Sequence, residues 1–110
     1  MVDVRTTDVY SNVEVLKIIQ EHVQSSVTPR STRLNPSTIP MDHPIVLAGM
    51  AMGKKTYGSP TMSDQALLPI PSLKVGPGHS ARSHSADEFI YVDEVNAGVA
   101  FYIELLQAVL

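Results

Sequence analysis

A glycine-rich loop followed by a histidine and two carboxylates contains the residues of this chain that are best suited to chemistry. The sequence Gly-Pro-Gly at residues 76–78 follows a short apolar segment, and His84 lies a few residues beyond it. Glycine lets a backbone pass close to a ligand, and neutral imidazole is a common zinc ligand. Asp87 and Glu88, which follow His84 closely, are placed to orient its ring or to close the site. This segment is therefore a candidate metal site.

Residue chemistry alone leaves a second interpretation of His84 open. A histidine between two serines in a polar loop is more often a solvated or capping residue than a ligand. His79 has the same ambiguity with fewer helpful neighbours, whereas His22, on a helix, and His43, beside a cap, are interpreted as structural. The chain has no cysteine, so any metal would be held by His, Asp and Glu.

Composition and charge exclude several classes of function. The net charge is -3, without a basic run or aromatic residues interleaved with Lys and Arg, so nucleic acid is not expected as a partner. No apolar run approaches the ~20 residues that cross a bilayer, so no membrane partner is expected, and the composition suits a cytoplasmic protein. Ser63 and Asp64 with a distant histidine suggest a serine hydrolase, but no G-x-S-x-G nucleophile elbow occurs, which favours the metal enzyme.

Residue spacing predicts an α/β fold. Alternation at residues 1–5, β-branched residues at 27–34 and the apolar segment at 73–75 predict strands. The capping-box pattern of Ser11 and Glu14 predicts a helix over about residues 12–24, a second helix is predicted at 45–52 before Gly53, and a short helical turn at 63–68. The final helix, capped by Asp93, is expected to pack on a sheet through one apolar stripe: Val95, Val99, Tyr102, Ile103, Leu106 and Leu110.

Three stretches of the sequence, in order, resemble one family of enzymes. They are VDVRTTDVYSNVEVL at the front, GSPTMSDQALLP in the middle and GPGHSARSHSADEFIYVDEV near the end. Together they resemble the acetylornithine deacetylase, acetylcitrulline deacetylase and succinyl-diaminopimelate desuccinylase family of zinc-dependent amidohydrolases. The Gly-Pro-Gly loop followed by H-x-x-D-E is the most specific part of this resemblance.

The resemblance implies a role for several residues. His84 resembles the family's last metal ligand, with Asp87 and Glu88 supporting it, and the cofactor would be two zinc ions, with cobalt or manganese as alternatives. Arg33, or alternatively Arg30 or Arg5, would bind the α-carboxylate of the substrate through a guanidinium fork. The segment at residues 59–64, with Ser63, and the loop with Gly76 and Ser80 would face the substrate.

The resemblance also implies what the chain lacks. The other metal ligands and the glutamate general base of the family come from an N-terminal part, so this chain holds no predicted catalytic residue. In a complete enzyme, the two metals would activate a hydroxide that attacks the amide of an N-acyl amino acid, as in arginine biosynthesis. One histidine cannot hold zinc, which needs three or four ligands. We therefore expect an incomplete C-terminal fragment that is inactive by itself.

Domain organisation follows from the same resemblance. Residues 1–40 are predicted to be part of a lid domain that forms a homodimer, and residues 41–110 the C-terminal part of the catalytic domain. Two other functions remain open at this point. One is a non-catalytic α/β binding or dimerisation module, and the other is a related dipeptidase or desuccinylase.

Overall fold

The computed structural model describes residues 1–61 and 63–110, and the regular structure in those residues is helical. The chain divides into two compact units, the first formed by Met1–Ile39 and Tyr57–Leu73 and the second by Pro40–Thr56 and Lys74–Leu110. The α-helices are α1 (Asn12–His22), α2 (Pro44–Ala51) and α3 (Val92–Val109), and short 3-10 turns lie at Asp64–Leu67 and Ser80–Arg82. The proposed boundary between lid and catalytic domains at residue 40 stays a prediction.

The predicted α/β fold is wrong for the residues that the structure describes, because none of them is in a strand. The segments at residues 1–5, 27–34 and 73–75 have the alternation of strands but are irregular. Alternation only makes a strand compatible with a half-buried sheet, and a strand forms when a neighbour pairs with its N–H and C=O groups. Here the carbonyls of Thr32 and Leu34 instead accept hydrogen bonds from the side chain of Asn12.

The predicted capping box at the start of α1 is confirmed. The Glu14 N–H donates to the Ser11 hydroxyl over 3.3 Å, and the Ser11 N–H donates to the Glu14 carboxylate over 2.7 Å. These contacts satisfy two of the N–H groups that a helix start leaves unpaired. Hydrogen bonds from the Ser11 backbone and hydroxyl lower the pKa of Glu14. The helix ends at His22, two residues before the predicted end.

Hydrogen bonds from Asn12 connect separate segments of the first unit. The Asn12 amide donates to Leu34 O over 2.8 Å and to Thr32 O over 3.1 Å, and its oxygen accepts from the Thr6 hydroxyl over 2.7 Å. The Asn12 N–H also donates to the Asn35 side chain over 2.9 Å. None of the described residues of this unit is fully buried. The first unit therefore depends on polar contacts at the start of α1 rather than on an apolar core.

The second unit has a small apolar core between α2 and α3. Val46 of α2 is 4% exposed and Leu105 of α3 is 2% exposed. The His43 ring caps α2 by accepting from the Ile45 N–H. The second predicted helix is otherwise confirmed, and Gly53 follows it with a φ of 77°, as expected of a glycine just beyond a helix end.

The apolar stripe predicted on the final helix lies on its exposed side. The residues of α3 that face the interior of the second unit are on a neighbouring stripe: Gly98, Phe101, Leu105 and Val109. The predicted stripe is exposed throughout: Val95, Val99, Tyr102, Ile103, Leu106 and Leu110. At 100° per residue, the two stripes together form an apolar arc of about 200°. Periodicity identified that arc but could not show which half of it packs, and α2 takes the place of the expected sheet.

Replacing Ser11 by alanine should destabilise α1. The substitution removes the hydroxyl that accepts the Glu14 N–H, and the loss of such a cap costs about 1 kcal/mol. The free energy of unfolding measured by urea titration, with helix content followed by circular dichroism, should fall by that amount. Ser25→Ala, at an exposed bend beyond the helix, is the matched control. Equal effects of the two substitutions would contradict the capping role.

Candidate functional site

The loop that contains His84 is fixed along one side of α3. We call residues 76–88 the His84 loop. The Tyr102 hydroxyl donates to the carbonyl of Val75, just before this loop, and Pro77 lies against Gly98, where an added Cβ would approach the proline Cβ to 3.0 Å. Tyr102, Gly98 and Glu94 are four residues apart and therefore share one side of the helix. The loop thus follows α3 from its middle towards its beginning.

Arg82 and Glu94 form the contact nearest the start of α3. The guanidinium donates to both carboxylate oxygens of Glu94, over 2.9 Å from Nη1 to Oε2 and by a second bond from Nη2 to Oε1. The carboxylate also accepts the Tyr91 N–H over 3.0 Å, at the N-cap of α3. The guanidinium lies 5.0 Å and 5.3 Å from the ring centroids of Phe89 and Tyr91. These distances are those of cation–π contacts.

The electrostatics of the pair agree with its geometry. The side chains of Arg82 and Glu94 are 19% and 32% exposed, so water screens them only in part. The hydrogen bonds from Arg82, followed by that from the Tyr91 backbone, lower the pKa of Glu94, and the hydrogen bond to Glu94 raises the pKa of Arg82. Both groups therefore remain charged at neutral pH.

His84 lies at an exposed turn with a left-handed backbone. Its φ is 58°, a conformation that is uncommon for residues other than glycine but in which His and Asn are enriched. Two hydrogen bonds hold the turn: the His84 N–H donates to the Glu88 carboxylate over 3.1 Å, and the Ser85 hydroxyl donates to Arg82 O over 2.7 Å. Asp87 is also left-handed, with a φ of 54°. Glu88 therefore contacts the His84 backbone, and the orientation of the ring by Asp87 or Glu88 stays a prediction.

The rings of three histidines make local contacts with the backbone. His79 and His43 accept the N–H groups of Ala81 and Ile45, and the His22 ring lies 2.8 Å from Ile18 O. His43 is thus the N-cap of α2, and the structural interpretation of His22 stays a prediction. Within the described residues, the His84 ring has no such contact. Its nitrogens are therefore available to a ligand.

No group of three or more His, Cys, Asp or Glu that could hold a metal occurs among residues 1–61 and 63–110. A zinc site needs three or four such ligands. The residues present therefore do not by themselves fit a metal ion.

The other predicted site residues are distributed over both units. Arg33 and Ser63 belong to the first unit, and Gly76 and Ser80 belong to the second. Arg33 is exposed, and the Ser63 carbonyl, rather than its hydroxyl, contacts the following turn by accepting the Ala66 N–H. Part of the predicted substrate segment at 59–64 lies outside the described residues, namely position 62. The contacts of Arg33, Ser63, Gly76 and Ser80 with substrate stay predictions.

The two glycines of the His84 loop differ in the space that surrounds them. Gly78 has a φ of 84°, which favours glycine, and an added Cβ would lie 3.2 Å from Ile90 Cδ1, so that side chain would have to shift slightly to accommodate it. An added Cβ at Gly76 would meet no atom within 4 Å. The described residues thus place no steric limit on the side chain at position 76, and the contact of Gly76 with substrate stays a prediction.

No local pattern of residues predicted the contact between Arg82 and Glu94. The two residues are 12 positions apart, and their pairing depends on how the His84 loop runs along α3. Only the position of Glu94 in the first turn of α3 had a local signature, since a glutamate at that point can accept the N–H of the cap residue.

Comparison with models of known protein families gave no match, and comparison with curated proteins gave none either. The resemblance to the deacetylase family therefore stays a prediction that rests on the three stretches of sequence. Among the described residues, no helix has the length and apolar character needed to cross a membrane.

Alanine substitutions at the two helical glycines of the second unit should differ. Gly49→Ala adds a Cβ that meets Leu105 Cδ1 at 4.0 Å, an ordinary contact, so the gain in helix propensity should stabilise the fold by up to about 1 kcal/mol. Gly98→Ala brings the same gain but presses on Pro77 at 3.0 Å, so its free energy of unfolding should be clearly lower than that of Gly49→Ala. Urea titration of both variants measures the difference. Equal stabilisation would show that Pro77 does not pack on α3.

Acidification should break the Arg82–Glu94 contact below the ordinary glutamate pKa of about 4.3. Because the folded-state pKa of Glu94 is lowered, the contact stabilises the fold above the unfolded-state pKa, and this stability is lost as the pH falls through the folded-state pKa. In a carboxyl carbon titration by NMR, Arg82→Gln should raise the midpoint of Glu94. Lys74→Gln, which removes an exposed charge of the same unit, should not. Equal midpoints in wild type and Arg82→Gln would contradict the assigned cause.

Proposed function

We propose that this chain is part of a zinc-dependent amidohydrolase that cleaves the amide bond of an N-acyl amino acid, and that it contributes His84 as one metal ligand. The substrate that fits the resemblance best is acetylornithine or acetylcitrulline. A related dipeptide or succinylated substrate is the alternative, and the residues that select the acyl group would lie largely upstream of this chain.

The observation that carries this proposal is the state of His84. His84 is exposed and its ring makes no hydrogen bond within the described residues, while the rings of His22, His43 and His79 contact the backbone. The backbone of His84 is nevertheless held in a left-handed turn by the bond to Glu88. An ordered backbone that presents an uncommitted imidazole is what metal ligation requires.

The proposal requires ligands that the described residues do not supply. Zinc needs three or four ligands, and His84 has no companions of the right type around it. The remaining ligands and the general base would come from polypeptide outside the printed sequence. By itself, the chain should take up no zinc and hydrolyse nothing.

The other parts of the proposal concern the substrate and the assembly. Arg33 would pair with the α-carboxylate, for which the planar guanidinium is suited. The first unit would contribute to a homodimer, and the enzyme would be cytoplasmic. These parts are supported by the sequence resemblance alone.

Replacement of His84 tests the metal role, and asparagine is the informative substitution. Asparagine tolerates a positive φ, so His84→Asn removes the imidazole without the backbone strain that alanine would add. In a longer protein that also contains the family's upstream ligands, calorimetric titration with Zn²⁺ should show two ions bound by the wild type and one by His84→Asn. Hydrolysis of N-acetylornithine should be abolished. His79→Asn, in the same loop and with a capping residue retained, should keep both ions.

Failure of the wild-type longer protein to take up zinc, or full retention of both ions by His84→Asn, would refute the proposed function. A non-catalytic assembly module would then be the better proposal. The exposed apolar side of α3 favours that second function.

A further inference from the structure

We propose that Arg82 and Glu94 are positioning residues for His84, because their ion pair fixes the His84 loop to the beginning of α3. This inference rests on the proposed function, since it concerns the placement of the proposed ligand. Neither residue would contact metal or substrate. Their effect would be transmitted through the backbone between Arg82 and His84.

Arg82 is bonded through its backbone as well as its side chain. Its N–H donates to His79 O over 3.0 Å, and its carbonyl accepts the Ser85 hydroxyl over 2.7 Å. Its guanidinium is bonded twice to Glu94. One residue thus joins the 3-10 turn before His84, the serine after it, and α3.

Glu94 provides a fixed partner for the loop. It lies in the first turn of α3, and its carboxylate is oriented by the Tyr91 N–H as well as by Arg82. The helix itself is anchored in the second unit through Leu105, which is almost completely buried. The loop is therefore bonded to a helix that is packed into the core of this unit.

The geometry at His84 explains why such a contact is needed. Both His84 and Asp87 have left-handed backbones, which non-glycine residues adopt only when their surroundings hold them there. The bonds from His84 to Glu88 and from Ser85 to Arg82 close the turn locally. Neither of them reaches α3. The guanidinium of Arg82, two residues before His84, does.

An arginine suits this task better than a lysine. Its planar fork donates two parallel hydrogen bonds to one carboxylate, which fixes direction as well as distance, whereas an ammonium group acts as a single point charge. The rings of Phe89 and Tyr91, with centroids 5.3 Å apart, both lie near the guanidinium. A lysine at position 82 would keep the charge but lose the second bond.

Backbone dynamics of the printed chain test the positioning directly. In ¹⁵N relaxation measurements, the order parameter of His84 should be near the rigid value of about 0.85 in the wild type and should fall below about 0.6 in Arg82→Gln. Arg82→Lys should give an intermediate value. Leu105 reports the core and should not change, and Lys74→Gln serves as the charge-matched control. An unchanged order parameter of His84 in Arg82→Gln would overturn the inference.

A substitution that loosens the whole unit must be distinguished from one that loosens the loop. If Arg82→Gln lowers the order parameters of Val46 and Leu105 as well, the milder Arg82→Lys decides the matter. A decrease confined to the His84 loop in that variant supports positioning. A uniform decrease overturns it.

Metal affinity separates this inference from the proposed function. In the longer protein, Arg82→Gln should weaken Zn²⁺ binding at the His84 site about tenfold, the lower end of the usual effect of residues that support a ligand, with partial recovery in Arg82→Lys. No uptake by the wild type would refute the proposed function, whatever the dynamics of the loop. Normal uptake with unchanged affinity in Arg82→Gln would overturn the positioning role alone.

Discussion

The second unit depends on one side of α3, where residues four positions apart each hold a part of the loop that leads to His84. Tyr102 bonds the backbone before the loop, Gly98 accommodates Pro77, and Glu94 pairs with Arg82. Each uses a different interaction: a hydroxyl donor, a missing side chain and a carboxylate. Side chains four positions apart on a helix point in similar directions, and this regularity lets a largely irregular loop follow a defined path along α3.

The two units are stabilised in different ways. In the first, the side chain of Asn12 satisfies backbone groups of a segment that lies about 20 residues later in the sequence. In the second, two helices pack together, and each buries one apolar side chain, Val46 in α2 and Leu105 in α3. Polar contacts of the first kind define geometry but contribute little net stability each, whereas burial of apolar side chains contributes more.

Local signals predicted the helices well and the fold class badly. The capping box at Ser11 and the glycine after α2 act within a few residues, so the sequence alone specifies them. A strand forms only where another strand pairs with it, and the alternation at residues 1–5 carried no information on whether such a strand was present. The same limit applies to α3, whose periodicity located an apolar arc without showing which part of it would pack.

The candidate site shows the same division. His84 and the Gly-Pro-Gly loop were identifiable because a short motif contains them, and the left-handed turn agrees with a histidine at that place. The contact made by Arg82 was not identifiable, because it depends on Glu94 and on the path of the His84 loop.

The sparse core of the second unit also has a calorimetric consequence. With two apolar side chains buried among the described residues, unfolding would hydrate little new apolar surface, so the heat-capacity change should lie below the usual ~12–15 cal/mol/K per residue and the thermal transition should be broad.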